Sequence, residues 1–202
     1  MTALHDRYLR VARPLGRVDL EAAEAAARDL LAALGADPAD EDLAGTPRRV
    51  AAAYAELLTP LPFTPHHLRQ PRGLRRAGGG PGHPLLVAVC RHHLLPFVGV
   101  AHVGYLPGER ILGLSKLARV VGLFARDLQT QERLTAQVAG WLTGELAPLG
   151  AGVVVAAEHL CMTVRGVQAP GVRTVTSALR GRVRDDPRTR AEFLALAMTM
   201  RG

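Results

Sequence analysis

Lysine is nearly absent from the 202 residues: Lys116 stands alone, and arginine supplies every other permanent side-chain cation. Cysteine is scarce too. Two residues, Cys90 and Cys161, cannot make a disulfide framework for a chain this long, so a reducing compartment is expected. Aromatic residues make up 4%, and neither an RNP-type motif nor zinc-finger spacing occurs, which argues against a nucleic-acid-binding module and predicts no nucleic-acid partner. The longest uncharged stretch, 92–108, holds three histidines and two prolines, so nothing reads as a membrane span of about 20 apolar residues. The opening MTALHDRYLR carries charges where a secretory signal needs an apolar run. These absences predict a soluble, cytoplasmic protein without membrane contact.

What is present is a core and an excess of positive charge. At 48% hydrophobic the chain can bury the interior of one medium domain, with room for a helical extension. Lys+Arg 25 against Asp+Glu 18 leaves +7, which suits nucleic acid, a phosphorylated small molecule or an anionic surface. Charge alone does not choose among them.

Periodicity divides the chain into three parts. In the first, 1–58, a helix is expected from Val18, with Asp19 as N-cap, Leu20, Ala23, Ala27, Leu30, Leu31 and Leu34 on one face, and Gly35 as the stop. Thr46-Pro47 opens a second helix that runs to about Leu58. Residues 59–84 form the second part, rich in proline, glycine and arginine, and read as a linker or loop. The third part, 85–202, begins with strands at LLVAVC, VGVAHVGYL and RILGL. Ser115 is expected to cap a helix over SKLARVVGLFARDL, and Thr130 or Gln131 opens another. Strands at GVVVAAEHLCMTV and RTVTSAL and a helix from Asp186-Pro187 complete the order. The fold class is α+β, an antiparallel sheet with helices on one face and an N-terminal helical extension.

Both cysteines lie in short Cys/His clusters at strand ends. Cys90-Arg91-His92-His93 precedes a turn at Leu95-Pro96, and Glu158-His159-Leu160-Cys161 ends a strongly apolar run. Two buried thiols with core histidines would leave the same letters in the sequence. The alternative is a zinc site: thiolate and imidazole are preferred zinc donors, and Cys90, His93 and Cys161 would leave a fourth tetrahedral position open, as catalytic zinc requires. His92 and His159 would then be available for proton transfer.

A second constellation is Gly113-Leu114-Ser115-Lys116-Leu117-Ala118-Arg119, where a helix begins directly after a strand. Free backbone N–H groups and the helix dipole favour an anion there, and Lys116 and Arg119 share a face. A plain amphipathic helix with solvated charges accounts for the same residues. Gln131-Glu132 at the next helix start is a third place, since a carboxylate can accept two hydrogen bonds from an amidine-like edge such as guanine's.

The blocks CRHHLLPFVG, GYLPG, GLSKLARVV, LQTQERLT, EHLCMTVRGVQ, TVTSALRG and DPRTRAEFL, in order between about Leu43 and Leu196, resemble the GTP cyclohydrolase I family. The resemblance implies a T-fold (tunnelling-fold) subunit in a homodecamer of two stacked pentamers, with active sites between subunits. It implies hydrolytic opening of GTP to 7,8-dihydroneopterin triphosphate, for pteridine and tetrahydrofolate synthesis, with one zinc ion on Cys90, His93 and Cys161. His92 and His159 would transfer protons, with Ser115 also in the catalytic set. Glu132 and Gln131 would hold the guanine. Ser115, Lys116, Arg119 and Arg165 would hold the ribose and triphosphate, with Arg49 of the TPRR segment arriving from a neighbouring subunit. Two features depart from the family: Arg91 stands where a glutamate is usual, and the run before Cys90 is Gly/Pro/Arg-rich. A paralogue that stops at a ring-opened formamidopyrimidine nucleotide, or serves a specialised pathway, is the alternative.

Overall fold

A computed structural model describes residues 18–37, 39–60, 67–69, 78–79 and 83–199. The N-terminal layer is a helical pair. Helix α1 (Leu20–Ala33) starts at Asp19, whose carboxylate accepts from the Ala22 N–H at 3.0 Å. It stops where Gly35 takes φ +88°, so that the Gly35 and Ala36 N–H groups turn back onto the Ala32 and Leu31 carbonyls. Helix α2 (Thr46–Leu58) begins one residue earlier than expected, with Gly45 at its N-cap and Pro47 in its first turn.

The expected linker contributes two short strands, β1 (His67–Arg69) and β2 (Gly78–Gly79). Residues 61–66, 70–77 and 80–82 of that run, including Arg72, Arg75 and Arg76, lie outside the described residues. Then follow β3 (His83–Cys90), β4 (Pro96–Leu106), β5 (Arg110–Leu112), α3 (Leu114–Ala125), β6 (Leu128–Gln129), α4 (Gln131–Leu146), β7 (Gly150–His159), α5 (Leu160–Thr163), β8 (Arg173–Gly181), α6 (Arg182–Asp185) and α7 (Pro187–Thr199). The main sheet runs β6-β3-β4-β7-β8, with β2 added beside β4, and β1 pairs separately with β5. All pairings are antiparallel except β3 with β6, which is parallel.

Strand alternation decides which face is covered. Ala101, Val103 and Tyr105 of β4 and Ala151, Val153, Val155 and Ala157 of β7 share one core with Leu117, Val120, Val121 and Phe124 of α3 and Leu134, Val138, Trp141 and Leu142 of α4. The two long helices thus cover one face. On the other, Gly104 and Gly152 lie opposite each other in register and leave a flat seat for the Phe193 ring of α7. A Cβ at Gly152 would come within 2.6 Å of that ring, so α7 reaches the sheet only because both positions lack a side chain.

Three further boundaries differ from the sequence expectation. Helix α3 has Gly113 as N-cap with no side-chain cap, so Ser115 does not cap it. The helix also stops at Ala125, because Leu128 and Gln129 leave it to pair with Val89 and Cys90 as β6. The apolar strand ends at His159, and Cys161 lies on the helical turn α5. Among the described residues no helix is long and apolar enough to cross a membrane.

His102 of β4 is 7% exposed on the face opposite α3 and α4, its Nδ1 without a hydrogen-bond partner among the described residues, and burial pushes its pKa below 6.5. The unfolded chain therefore binds a proton at this position more readily than the native one. Stability should fall as pH drops through 6.5 toward the lowered native value. In chemical denaturation between pH 7.5 and 5, His102→Gln should flatten that fall; an unchanged slope would remove His102 from the account.

Candidate functional site

The site lies at one end of the sheet, where the register of three strands gathers four chain segments. Val89 of β3 pairs with Pro96 of β4, and Phe97 of β4 pairs with His159 of β7. The end of β3, the start of β4 and the end of β7 are therefore neighbours, and β6 brings the start of α4 alongside. Phe97 is fully buried and its ring stacks on His159, centroids 4.7 Å apart at 13°.

Cys90, His93 and Cys161 place one ligand atom each within 4.8 Å of one another. Cys90 Sγ and His93 Nδ1 are 3.8 Å apart, close to the spacing of about 3.5 Å that tetrahedral zinc requires of sulfur and nitrogen donors. Both thiols are buried and His93 is exposed, so the cluster opens to one side. Burial and the adjacent Cys90 push the Cys161 thiol above its ordinary range, while Arg165 pulls the other way. A divalent cation between the donors would supply the positive charge that two neighbouring thiolates require. The donor set, its crowding and its open side fit zinc.

The local sequence explains how each donor arrives. Cys90 is the last residue of β3, on the face that carries Leu86 and Ala88 into the core. The chain then turns tightly, with the Leu94 N–H donating to the Cys90 carbonyl at 2.9 Å and the Cys90 N–H to the Leu95 carbonyl at 2.9 Å. His93 lies inside that turn. Cys161 is held by its helical turn, where Glu158 accepts from the Thr163 hydroxyl at 3.1 Å and the Gly171 N–H at 3.3 Å.

Gln131, which the resemblance assigns to the guanine, is anchored within the chain. Its side chain is 1% exposed, and its amide nitrogen donates to the Val155 carbonyl at 3.0 Å, the Thr174 carbonyl at 2.9 Å and Thr176 Oγ1 at 3.2 Å. Carbonyls only accept, so the NH2 end must face them and Oε1 must face His159, whose Nε2 lies 2.8 Å away. That oxygen can only accept. His159 therefore carries its proton on Nε2, and its Nδ1 is the atom free to exchange one. Thr135 and Thr176 close the network, their hydroxyls 2.7 Å apart, with Thr135 donating to the Gln131 carbonyl at 2.7 Å. The helical period carried the signal: Gln131 lies on the same stripe of α4 as Leu134, Val138 and Leu142.

Glu132, one position on, is exposed in the first turn of α4. Burial lowers the pKa of His159 and Glu132 opposes that shift, which puts the carboxylate within electrostatic reach of the imidazole. His92 is exposed, its ring edge-on to His93 at 6.3 Å, and Arg91 and Arg165 are exposed beside the cluster.

Ser115, Lys116 and Arg119 are grouped at the start of α3, with Ser115 and Arg119 exposed. They do not join the cysteine cluster. Leu112, just before α3, donates its N–H to the Tyr105 hydroxyl at 2.9 Å, which sets the start of α3 over the far end of β4. That end lies about 30 Å along the strand from Pro96. Arg49 is likewise not brought in: its guanidinium donates to Thr46 Oγ1 at 2.8 Å in its own helix.

Residues 23–198 match the family model described as GTP cyclohydrolase I. The chain belongs to the GTP cyclohydrolase I family. Its α+β architecture is the T-fold of that family. It is 47% identical over 194 residues to GTP cyclohydrolase 1 of Streptomyces griseus, covering 91% of this chain and 93% of the relative. It is 49% identical over 196 residues to GTP cyclohydrolase 1 of Mycobacteroides abscessus, covering 92% and 93%. For GTP cyclohydrolase 1 of Thermoanaerobacter pseudethanolicus the identity is 46% over 188 residues, covering 89% and 97%.

The buried amide has a consequence that nitrogen NMR can read in this family member. In the parent, neutral His159 should carry its proton on Nε2. Gln131→Leu should release the preference to a mixture of tautomers and cost about 1–3 kcal/mol of stability through the groups left unpaired. An unchanged Nε2–H population in the variant would show that Gln131 does not set the tautomer.

Proposed function

We propose that this chain is a GTP cyclohydrolase I, converting GTP to 7,8-dihydroneopterin triphosphate with release of formate. The observation that carries the proposal is the Cys90-His93-Cys161 cluster beside a histidine of fixed tautomer, in a chain nearly half identical to proteins of that name. Zinc is the proposed metal, held by those three residues. When bound, it would supply Lewis acidity that makes water a nucleophile at neutral pH.

The chain's own residues account for the remainder. Glu132 faces outward and can accept from both N–H groups on the pyrimidine edge of guanine, fixing the base with its five-membered ring toward the cluster. Water adds at C8 and the imidazole ring opens. His159 exchanges a proton at Nδ1, because its Nε2–H is committed to Gln131, and His92 on the open side handles the second transfer. A further hydrolysis frees formate, and the ribose, opened and rearranged, closes on the exposed amine. The triphosphate undergoes no bond change. Ser115, Lys116, Arg119, Arg165 and Arg49 hold it and supply binding energy.

Separation along the sheet supports an assembly. Within one chain the start of α3, with Ser115 and Lys116, is tied to the far end of β4, so a complete site would draw these residues from a neighbouring copy. A homodecamer of two pentamers meets that requirement. We place the enzyme in the cytoplasm, where GTP is supplied and both thiols stay reduced.

Incubating zinc-loaded protein with GTP, then oxidising, should give pterin fluorescence and one formate per GTP. Cys161→Ala should lose zinc and both products together, by at least a hundred-fold in rate. Consumption of GTP without formate would indicate arrest at the formamidopyrimidine, and full activity in Cys161→Ala would refute the ligand set.

A further inference from the structure

The turn that carries His92 and His93 is tied to a different layer of the molecule. Leu94 sits at φ +56°, in the left-handed region that side chains with a Cβ rarely adopt. Its side chain is 50% exposed, so packing contributes little to holding it there. Two constraints remain. One is local: the Leu94 and His93 N–H groups turn back onto the Cys90 carbonyl at 2.9 and 3.4 Å. The other comes from 40 residues earlier, where the Tyr54 hydroxyl of α2 donates to the Leu94 carbonyl at 2.8 Å.

Helix α2 is itself fastened. Arg126, at the end of α3, donates through Nη1 to the Glu56 carbonyl at 3.0 Å and the Thr59 carbonyl at 3.3 Å. These contacts fix the last turn of α2 on the catalytic layer, one turn from Tyr54. The hydroxyl is therefore presented from a stiff support to the one residue of the turn with strained backbone. The adjacent residue is His93, whose Nδ1 must face Cys90 and Cys161.

We propose that Tyr54 is a positioning residue: through the Leu94 carbonyl it holds the Cys90–Leu95 turn in the form that aims His93 at the two cysteines and His92 at the open side. The N-terminal helical pair thereby becomes part of the site. This rests on reading the turn as the metal and proton-transfer turn of the proposed enzyme.

Tyr54→Phe keeps the ring and removes only the hydroxyl. Zinc affinity, measured by chelator competition without GTP, should fall about ten-fold to a hundred-fold, the range for residues that orient metal ligands. The kcat should fall by a similar factor while KM for GTP stays within about two-fold, since the Tyr54 hydroxyl is taken up by the Leu94 carbonyl. Parent-like zinc affinity and kcat would overturn the proposal. Leu94→Gly supplies the control against a general loss of folding. Glycine adopts the left-handed conformation freely, so in that background Tyr54→Phe should change zinc affinity by less than about three-fold. The same loss in both backgrounds would show that the hydroxyl does not act through Leu94. A parent that binds zinc without turning over GTP would sink the functional reading and leave the zinc comparison valid.

Discussion

Everything at the site depends on the pairing of β4 with β3 and β7. Val89 opposite Pro96 and Phe97 opposite His159 put the ends of β3 and β7 on either side of the start of β4. A slip by one residue would send Cys90 and His159 to the other face, away from α3 and α4. The slip is opposed by the core itself, because Leu86, Ala88, Phe97, Val153 and Val155 would leave it with them. Hydrophobic burial thus sets the register, and the register gathers the donors.

Polar groups then refine what burial places. Gln131 is buried among apolar neighbours and pays for its position with four hydrogen bonds, one of which decides where His159 keeps its proton. On the opposite side of the cluster, the Tyr54 hydroxyl and the Leu94 carbonyl fasten the turn that bears His93. Asp127, also buried, is paired with Arg133 and accepts from the Leu128 N–H at 2.7 Å, which fixes the entry to β6 beside Cys90. The site has an apolar foundation and a hydrogen-bonded polar frame at Gln131, Tyr54 and Asp127, and its open positions face outward at His92, His93 and Glu132.

Much of this was legible in the sequence, where the signal was local. The Asp19 cap, the Gly35 stop, the apolar stripe of α4 and the two Cys/His clusters all follow from spacing. What was not legible was set by partners distant in the chain. Strands β1, β2 and β6 have two or three residues each and exist only through pairing. Cys161 was read on a strand because its neighbours are apolar and β-branched, whereas Glu158 and Thr163 hold it in a helical turn. The resemblance assigns Gln131 to the guanine; its anchoring to Val155, Thr174 and Thr176, on strands distant in the chain, was not legible. The attachment of the start of α3 to the far end of β4 also needed the fold, since it rests on the Tyr105 hydroxyl meeting the Leu112 N–H.

Register brings Cys90, His93 and Cys161 together, and zinc is the metal proposed for them. X-ray absorption at the zinc edge of the loaded protein tests this most directly. Two sulfur donors at about 2.3 Å, one imidazole nitrogen at about 2.0–2.1 Å and one further light donor are expected. A shell of oxygen and nitrogen alone, or a single sulfur, would contradict it.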